Sequence, residues 1–110
     1  MAWSVEFYIE DSGKNPVRDF IKSLTQKEQA AVQHDLGTLV EFGLDVPFVR
    51  HIGGRLWEIK SGPARIFYVV YTGQRFILLH GYYKKSQKAP RRDIETAEKR
   101  LAALLDAEKR

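Results

Sequence analysis

The sequence predicts an α+β domain in which the order β-α-α-β-β-β-α builds a mixed, mainly antiparallel sheet with helices packed on one face. Three observations carry that expectation. Residues 3–10 alternate apolar and polar side chains, residues 16–43 hold two stretches with helix-capping signals, and residues 55–83 hold three runs rich in β-branched and aromatic residues. Breaks of about three residues, each containing glycine, separate those runs, as consecutive antiparallel strands joined by hairpins require. With 110 residues the chain is expected to form a single domain, residues 1–110, around one core.

Each element has a local cause. Trp3, Val5, Phe7 and Ile9 alternate with Ser4, Glu6, Tyr8 and Glu10, the period-two pattern of a strand with one buried face. Asn15 followed by Pro16 supplies an N-cap and a first-turn proline, so a helix is expected from Pro16 to about Leu24. Thr25 and Glu28 form a capping box, and Val32, Leu36, Leu39 and Val40 recur at helical spacing until Gly43 offers a stop. Leu44 to Gly54 reads as a connector broken by Pro47 and the Gly53-Gly54 pair. Three strands follow, Arg55–Lys60, Ala64–Tyr71 and Arg75–Tyr83. Pro90 opens a last helix with Ile94, Ala97, Leu101 and Leu104 on one face.

Composition narrows the function classes. The chain has no cysteine, which excludes disulfides and thiolate metal sites and fits a reducing cytosol. No stretch approaches the roughly 18–20 apolar residues of a membrane-spanning helix, and Met1 to Phe7 does not read as a secretory leader. A soluble, cytoplasmic protein without a membrane partner is expected.

The net charge of +4 conceals an asymmetry. Residues 1–49 carry 4 Lys/Arg and 8 Asp/Glu, residues 50–92 carry 10 and 1, and residues 93–110 carry 4 and 5. The cations stand where the predicted strands begin and end: Lys60 closes one, Arg65 and Arg75 open the next two, and Lys84, Lys85 and Lys88 follow the last. Concentrated basic charge points to a polyanion, nucleic acid before membrane, since no amphipathic helix carries it. The competing reading is that lysine and arginine merely solvate and protect exposed strand edges.

The order of elements, with the words Arg-Leu-Trp-Glu-Ile-Lys, Ala-Arg-Ile-Phe-Tyr and Leu-Leu-His-Gly-Tyr-Tyr-Lys-Lys-Ser-Gln-Lys-Ala-Pro, resembles the RelE/HigB superfamily of type II toxin–antitoxin toxins, in particular its HigB-like, phage Gp49-like branch. The resemblance implies a RelE-like fold and an endoribonuclease, or mRNA interferase, that cuts mRNA on the ribosome. It also implies a cognate antitoxin, commonly a helix-turn-helix protein. Relatives of the same fold that inhibit DNA gyrase without cleaving anything keep a second reading open, and an inactive nucleic-acid-binding module is a third.

Metal-independent RNA cleavage, with no cofactor, needs groups that orient the chain, stabilise charge on the phosphoryl oxygens and move protons. Arg65 suits the second task, because its planar fork grips phosphate oxygens in a way lysine cannot, and it matches the arginine that opens the Arg-Ile-x-Tyr strand of the family. Lys84 and Lys85 are candidates for proton transfer. Glu58, the lone acid of residues 50–92, is either a general base or a structural partner of Arg65. Tyr83 is expected to stack on a base or donate a proton, whereas alternation puts Tyr82 and His80 on the strand face of Phe76 and Leu78, as core. Lys60, Lys88, Arg91 and Arg92 read as cations that track the RNA backbone. No side chains stand at metal-ligand spacing, so no metal site is expected.

Overall fold

The computed structural model describes residues 3–85 and 90–108 of the chain. Its elements are β1 (Ser4–Phe7), α1 (Pro16–Lys22), α2 (Gln26–Phe42), β2 (Val49–Gly53), β3 (Leu56–Ser61), β4 (Ala64–Tyr71), β5 (Arg75–Tyr83) and α3 (Arg91–Glu108). One five-stranded sheet has the order β1-β5-β4-β3-β2. β1 lies parallel to β5, and the other neighbours are antiparallel. The fold is the expected mixed, mainly antiparallel α+β arrangement, with two differences.

The first difference is an additional strand. The segment read as a connector carries β2, which pairs with β3 through Arg50 opposite Glu58 and Val49 opposite Ile59. β2 is a short edge strand with no fully buried residue. An edge strand is held by backbone bonds along one side, so it can form without the apolar alternation that reveals half-buried strands.

The second difference is that helices cover both sheet faces. Val17, Leu24, Val32 and Leu39 from the α1–α2 region pack with Ile59, Ile66, Tyr68, Phe76 and Leu78. Ala97, Leu101 and Leu104 of α3 pack with Phe67, Val69, Tyr71, Ile77 and Leu79 on the opposite face. The run Ile66-Phe67-Tyr68-Val69-Val70 supplies side chains to both layers, as a continuous apolar run does in a sheet covered on both sides.

Local chemistry matches the observed ends. Asn15 Oδ1 accepts from the Arg18 N–H at 3.1 Å, and Thr25 and Glu28 close the capping box at 3.1 and 3.0 Å. Ser61 pairs with Ala64, and Gly62 at φ 57° precedes Pro63 in the two-residue turn between them. A positive φ followed by proline is a type II′ hairpin turn.

A bulge in the β4–β5 ladder decides which side chains face α3. Phe67 pairs with His80 and Tyr68 with Leu78, which leaves Leu79 as the extra residue. Phe76 and Leu78 therefore face α1 and α2. Beyond the bulge the alternation is reset: Tyr82 joins the α3-side core, whereas Gly81 lies against Phe20 of α1. The expectation that Tyr82 and His80 share a face with Phe76 and Leu78 is corrected by this single inserted residue.

Candidate nucleic-acid interface

Antiparallel pairing gathers the cations. The ends of β3 and β5 and the starts of β2 and β4 fall at one end of the sheet, so Lys60, Lys84, Arg50 and Arg65 become neighbours there. Two rows of paired residues cross the α3-side face: Arg50, Glu58, Phe67 and His80 in one, Lys60, Arg65 and Tyr82 in the next. Arg75 lies at the opposite end, paired with Glu6 at 3.2 Å and placed over the Tyr71 ring. Of the cations at strand ends, Arg50, Lys60, Arg65 and Lys84 thus gather at one end of the sheet, and Arg75 stands at the other.

The centre of this face is a hydrogen-bonded carboxylate. Glu58 is fully buried; its Oε1 accepts from Arg50 Nη2 at 3.1 Å, and its Oε2 accepts from the Tyr82 hydroxyl at 2.5 Å. The Tyr82 ring reaches it by lying across β4 against Phe67, with centroids 5.3 Å apart. Burial, then the bond to Glu58, pushes the Tyr82 phenol well above the ordinary tyrosine range, so its proton stays in place. Among the described residues the partner of Glu58 is Arg50 rather than Arg65, and neither carboxylate oxygen is left open to a substrate hydroxyl.

Arg65 is half-buried. Its Nη1 donates to the carbonyls of Gly62 and Ala64, which folds the side chain over its own hairpin turn. Its Nε is buried and finds no partner among the described residues, and the same is true of Arg50 Nε. Lys60, opposite Arg65, is exposed. The Lys84 N–H donates to the Pro63 carbonyl at 2.8 Å, which carries the pairing one residue past β5 and, by alternation, keeps Lys84 on the Tyr82 side. Lys85 is exposed one residue further on, and Arg91 and Arg92 are exposed in the first turn of α3. Lys88 lies outside the described residues.

Tyr83 is not brought to this face. Its hydroxyl donates to Glu28 Oε2 at 2.6 Å, at the start of α2. That bond raises the phenol and lowers the Glu28 carboxyl. His80 is a satisfied histidine: Arg100 Nη1 donates to its Nδ1 at 3.1 Å, which leaves the proton on Nε2 to be donated to Asp93 Oδ1 at 2.6 Å. Two residues of the face escape a reading of the sequence. Arg50 lies in the segment read as a connector, and Tyr82 is assigned to the wrong side by uninterrupted alternation. The available signal for Arg50 was Glu58 itself, since a lone acid among strand cations needs a partner.

Among the described residues no three His, Cys, Asp or Glu side chains are placed to hold a metal ion, and no helix is long and apolar enough to cross a membrane. A cavity of about 820 Å³ lies between the segment after β1 and the end of α3. Glu6, Glu10, Asp11, Asp106 and Glu108 line it with Arg75 as the one cation among the described residues, and a concave wall of that negative balance disfavours a polyanion.

The fold and this face define a small α+β protein with a cationic, partly desolvated patch at one end of a mainly antiparallel sheet. The chain belongs to the phage-derived Gp49-like protein family (DUF891), whose model matches residues 19–102, and this is a family of RelE/HigB-like toxins. No curated protein matches the chain.

Proposed function

We propose that the protein is the toxin of a type II toxin–antitoxin pair and acts as a metal-independent endoribonuclease on ribosome-bound mRNA. The observation that carries this reading is the Arg65 guanidinium, held over its hairpin with Lys60 opposite it, Lys84 paired through its backbone with the turn, and its Nε without a partner among the described residues. In the proposed reaction the ribose 2′-oxygen attacks the adjacent phosphorus and the bond from phosphorus to the 5′-oxygen breaks. Arg65 stabilises the charge that grows on the phosphoryl oxygens. Lys84 delivers a proton to the departing 5′-oxygen, and solvent water takes the proton of the 2′-hydroxyl. Lys60, Lys85, Lys88, Arg91 and Arg92 follow the RNA backbone. The role left to Glu58 is to hold Arg50 and Tyr82 in place, and Tyr83 has no part in the chemistry.

Growth arrest on induction, relieved by co-expression of the neighbouring gene and accompanied by discrete new 5′ ends within translated messages, is the expected outcome. Growth arrest with intact mRNA and trapped gyrase–DNA complexes would replace this reading with gyrase inhibition. Equal cutting of free and ribosome-bound RNA would remove the ribosome from it.

A further inference from the structure

Arg50 and Arg65 share an unusual feature. Each buries an Nε–H that finds no acceptor among the described residues, although buried donors in folded proteins are almost always paired. They also share a sheet face. Arg50 is opposite Glu58, Glu58 is opposite Phe67, and Arg65 is two residues before Phe67 on β4. Two strand spacings and one two-residue step separate their Cα atoms by roughly 12 Å, a gap that two arginine side chains leaning toward each other can close. The Tyr82 hydroxyl is bonded to the same carboxylate that holds Arg50.

The bonds each already makes engage one terminal nitrogen and leave the other without a protein partner among the described residues. Arg50 uses Nη2 on Glu58, and its side chain remains 39% exposed. Arg65 uses Nη1 on the turn carbonyls. An arginine has five N–H donors, so Arg50 keeps Nη1 and Arg65 keeps Nη2, each able to donate to an oxygen of a tetrahedral anion, with the buried Nε–H as a further donor once the side chain shifts onto the ligand. Glu58 would draw a mobile cation toward itself in any direction. Here Tyr82 ties its second oxygen, so the carboxylate fixes Arg50 without folding over Arg65.

We propose that Arg50 is a second phosphate-binding arginine, which with Arg65 takes the oxygens of one phosphodiester group, and that Glu58 and Tyr82 are positioning residues for it. The proposal rests on the reading of this face as the RNA-cleaving site and adds to it a residue from the edge strand.

The test uses the full chain labelled with ¹⁵N. The arginine Nε–Hε signals of Arg50 and Arg65 are assigned with Arg50→Lys and Arg65→Lys, and the wild type is titrated with a 2′-O-methyl RNA trinucleotide, which has no free 2′-hydroxyl to react. Both signals are expected to move along one binding curve. Arg50→Lys should weaken binding roughly tenfold, the loss of about one charge-assisted hydrogen bond. Tyr82→Phe should displace the Arg50 signal in the free protein and leave that of Arg65 in place, which a merely structural role for the hydroxyl would not do. Movement of the Arg65 signal alone overturns the proposal, and so does unchanged affinity in Arg50→Lys. If neither signal moves although the wild type cuts unmodified RNA, the clamp is wrong and the ribonuclease reading stands. If both move and the protein cuts nothing, the clamp stands and the ribonuclease reading fails.

Discussion

Replacing Tyr82 by phenylalanine removes one oxygen from the interior and tests the arrangement around Glu58. The hydroxyl donates at 2.5 Å to a carboxylate with no exposed surface, and Tyr82 itself is only 6% exposed. A hydrogen bond to a charged group contributes about 1.5–3 kcal/mol, and phenylalanine keeps the ring, so no sizeable cavity offsets or enlarges the loss. At roughly 4–6 °C per kcal/mol for a chain of this size, the melting temperature should fall by about 6–18 °C. Tyr83→Phe is the matched control. Its hydroxyl bonds Glu28 at 2.6 Å on the opposite side of the strand, where the residue is 44% exposed, so the change should stay within about 0.5 kcal/mol. Thermal unfolding followed by circular dichroism at pH 7, checked by urea titration, measures both variants. A costly Tyr83→Phe with a silent Tyr82→Phe would refute the bulge at Leu79 and the face assignments that follow from it.

Further predictions concern pH, packing and salt. Tyr68 is fully buried, and burial pushes its phenol up to about 12. The unfolded chain releases that proton near pH 10 while the folded chain keeps it, so stability should fall between about pH 10 and 12, by about 3 kcal/mol from Tyr68. Tyr68→Phe should flatten the decline and, because the hydroxyl has no partner among the described residues, lose little stability at pH 7; an unchanged alkaline slope in urea titrations would contradict this. A Cβ at Gly81 would stand 2.3 Å from the Phe20 ring, so Gly81→Ala should destabilise by about 1–3 kcal/mol, and by less in a Phe20→Ala background. Additive losses in that double-mutant cycle would show that the two residues do not touch. Lys60→Ala should reduce the log–log salt slope of single-stranded RNA binding by roughly 0.7, and an unchanged slope would mean that Lys60 does not meet the backbone.

What could be read in the sequence follows from where each signal is local. Asn15-Pro16 and Thr25 with Glu28 specify helix starts within a few residues, and both caps form as the spacing requires. The Gly62-Pro63 turn likewise specifies the β3–β4 hairpin and so brings Lys60 opposite Arg65. β2 was hidden because an edge strand relies on backbone pairing with β3, which five residues with two cationic or titratable side chains do not advertise. The partner of Glu58 was hidden with it. The bulge was hidden because Leu78 and Leu79 suit either apolar layer, so nothing in their chemistry marks which residue is the extra one. That ambiguity exchanged Tyr82 for Tyr83 in the expected site. The position of α3 had a readable signal, the unbroken apolar run in β4, which implies two covered faces rather than one.

The central claim is that the cationic end of the sheet cleaves RNA through Arg65. Its most direct test compares single-turnover cleavage of a translated message by the wild type and Arg65→Ala, with RNA affinity and melting temperature measured in parallel. The predicted result is discrete cutting by the wild type in the presence of EDTA and a rate lower by about 100- to 1000-fold in the variant, with affinity much less affected, because the guanidinium acts mainly on charge that develops in the transition state. Undiminished cleavage by a well-folded Arg65→Ala protein, or no cleavage by the wild type on translating ribosomes, would contradict the claim.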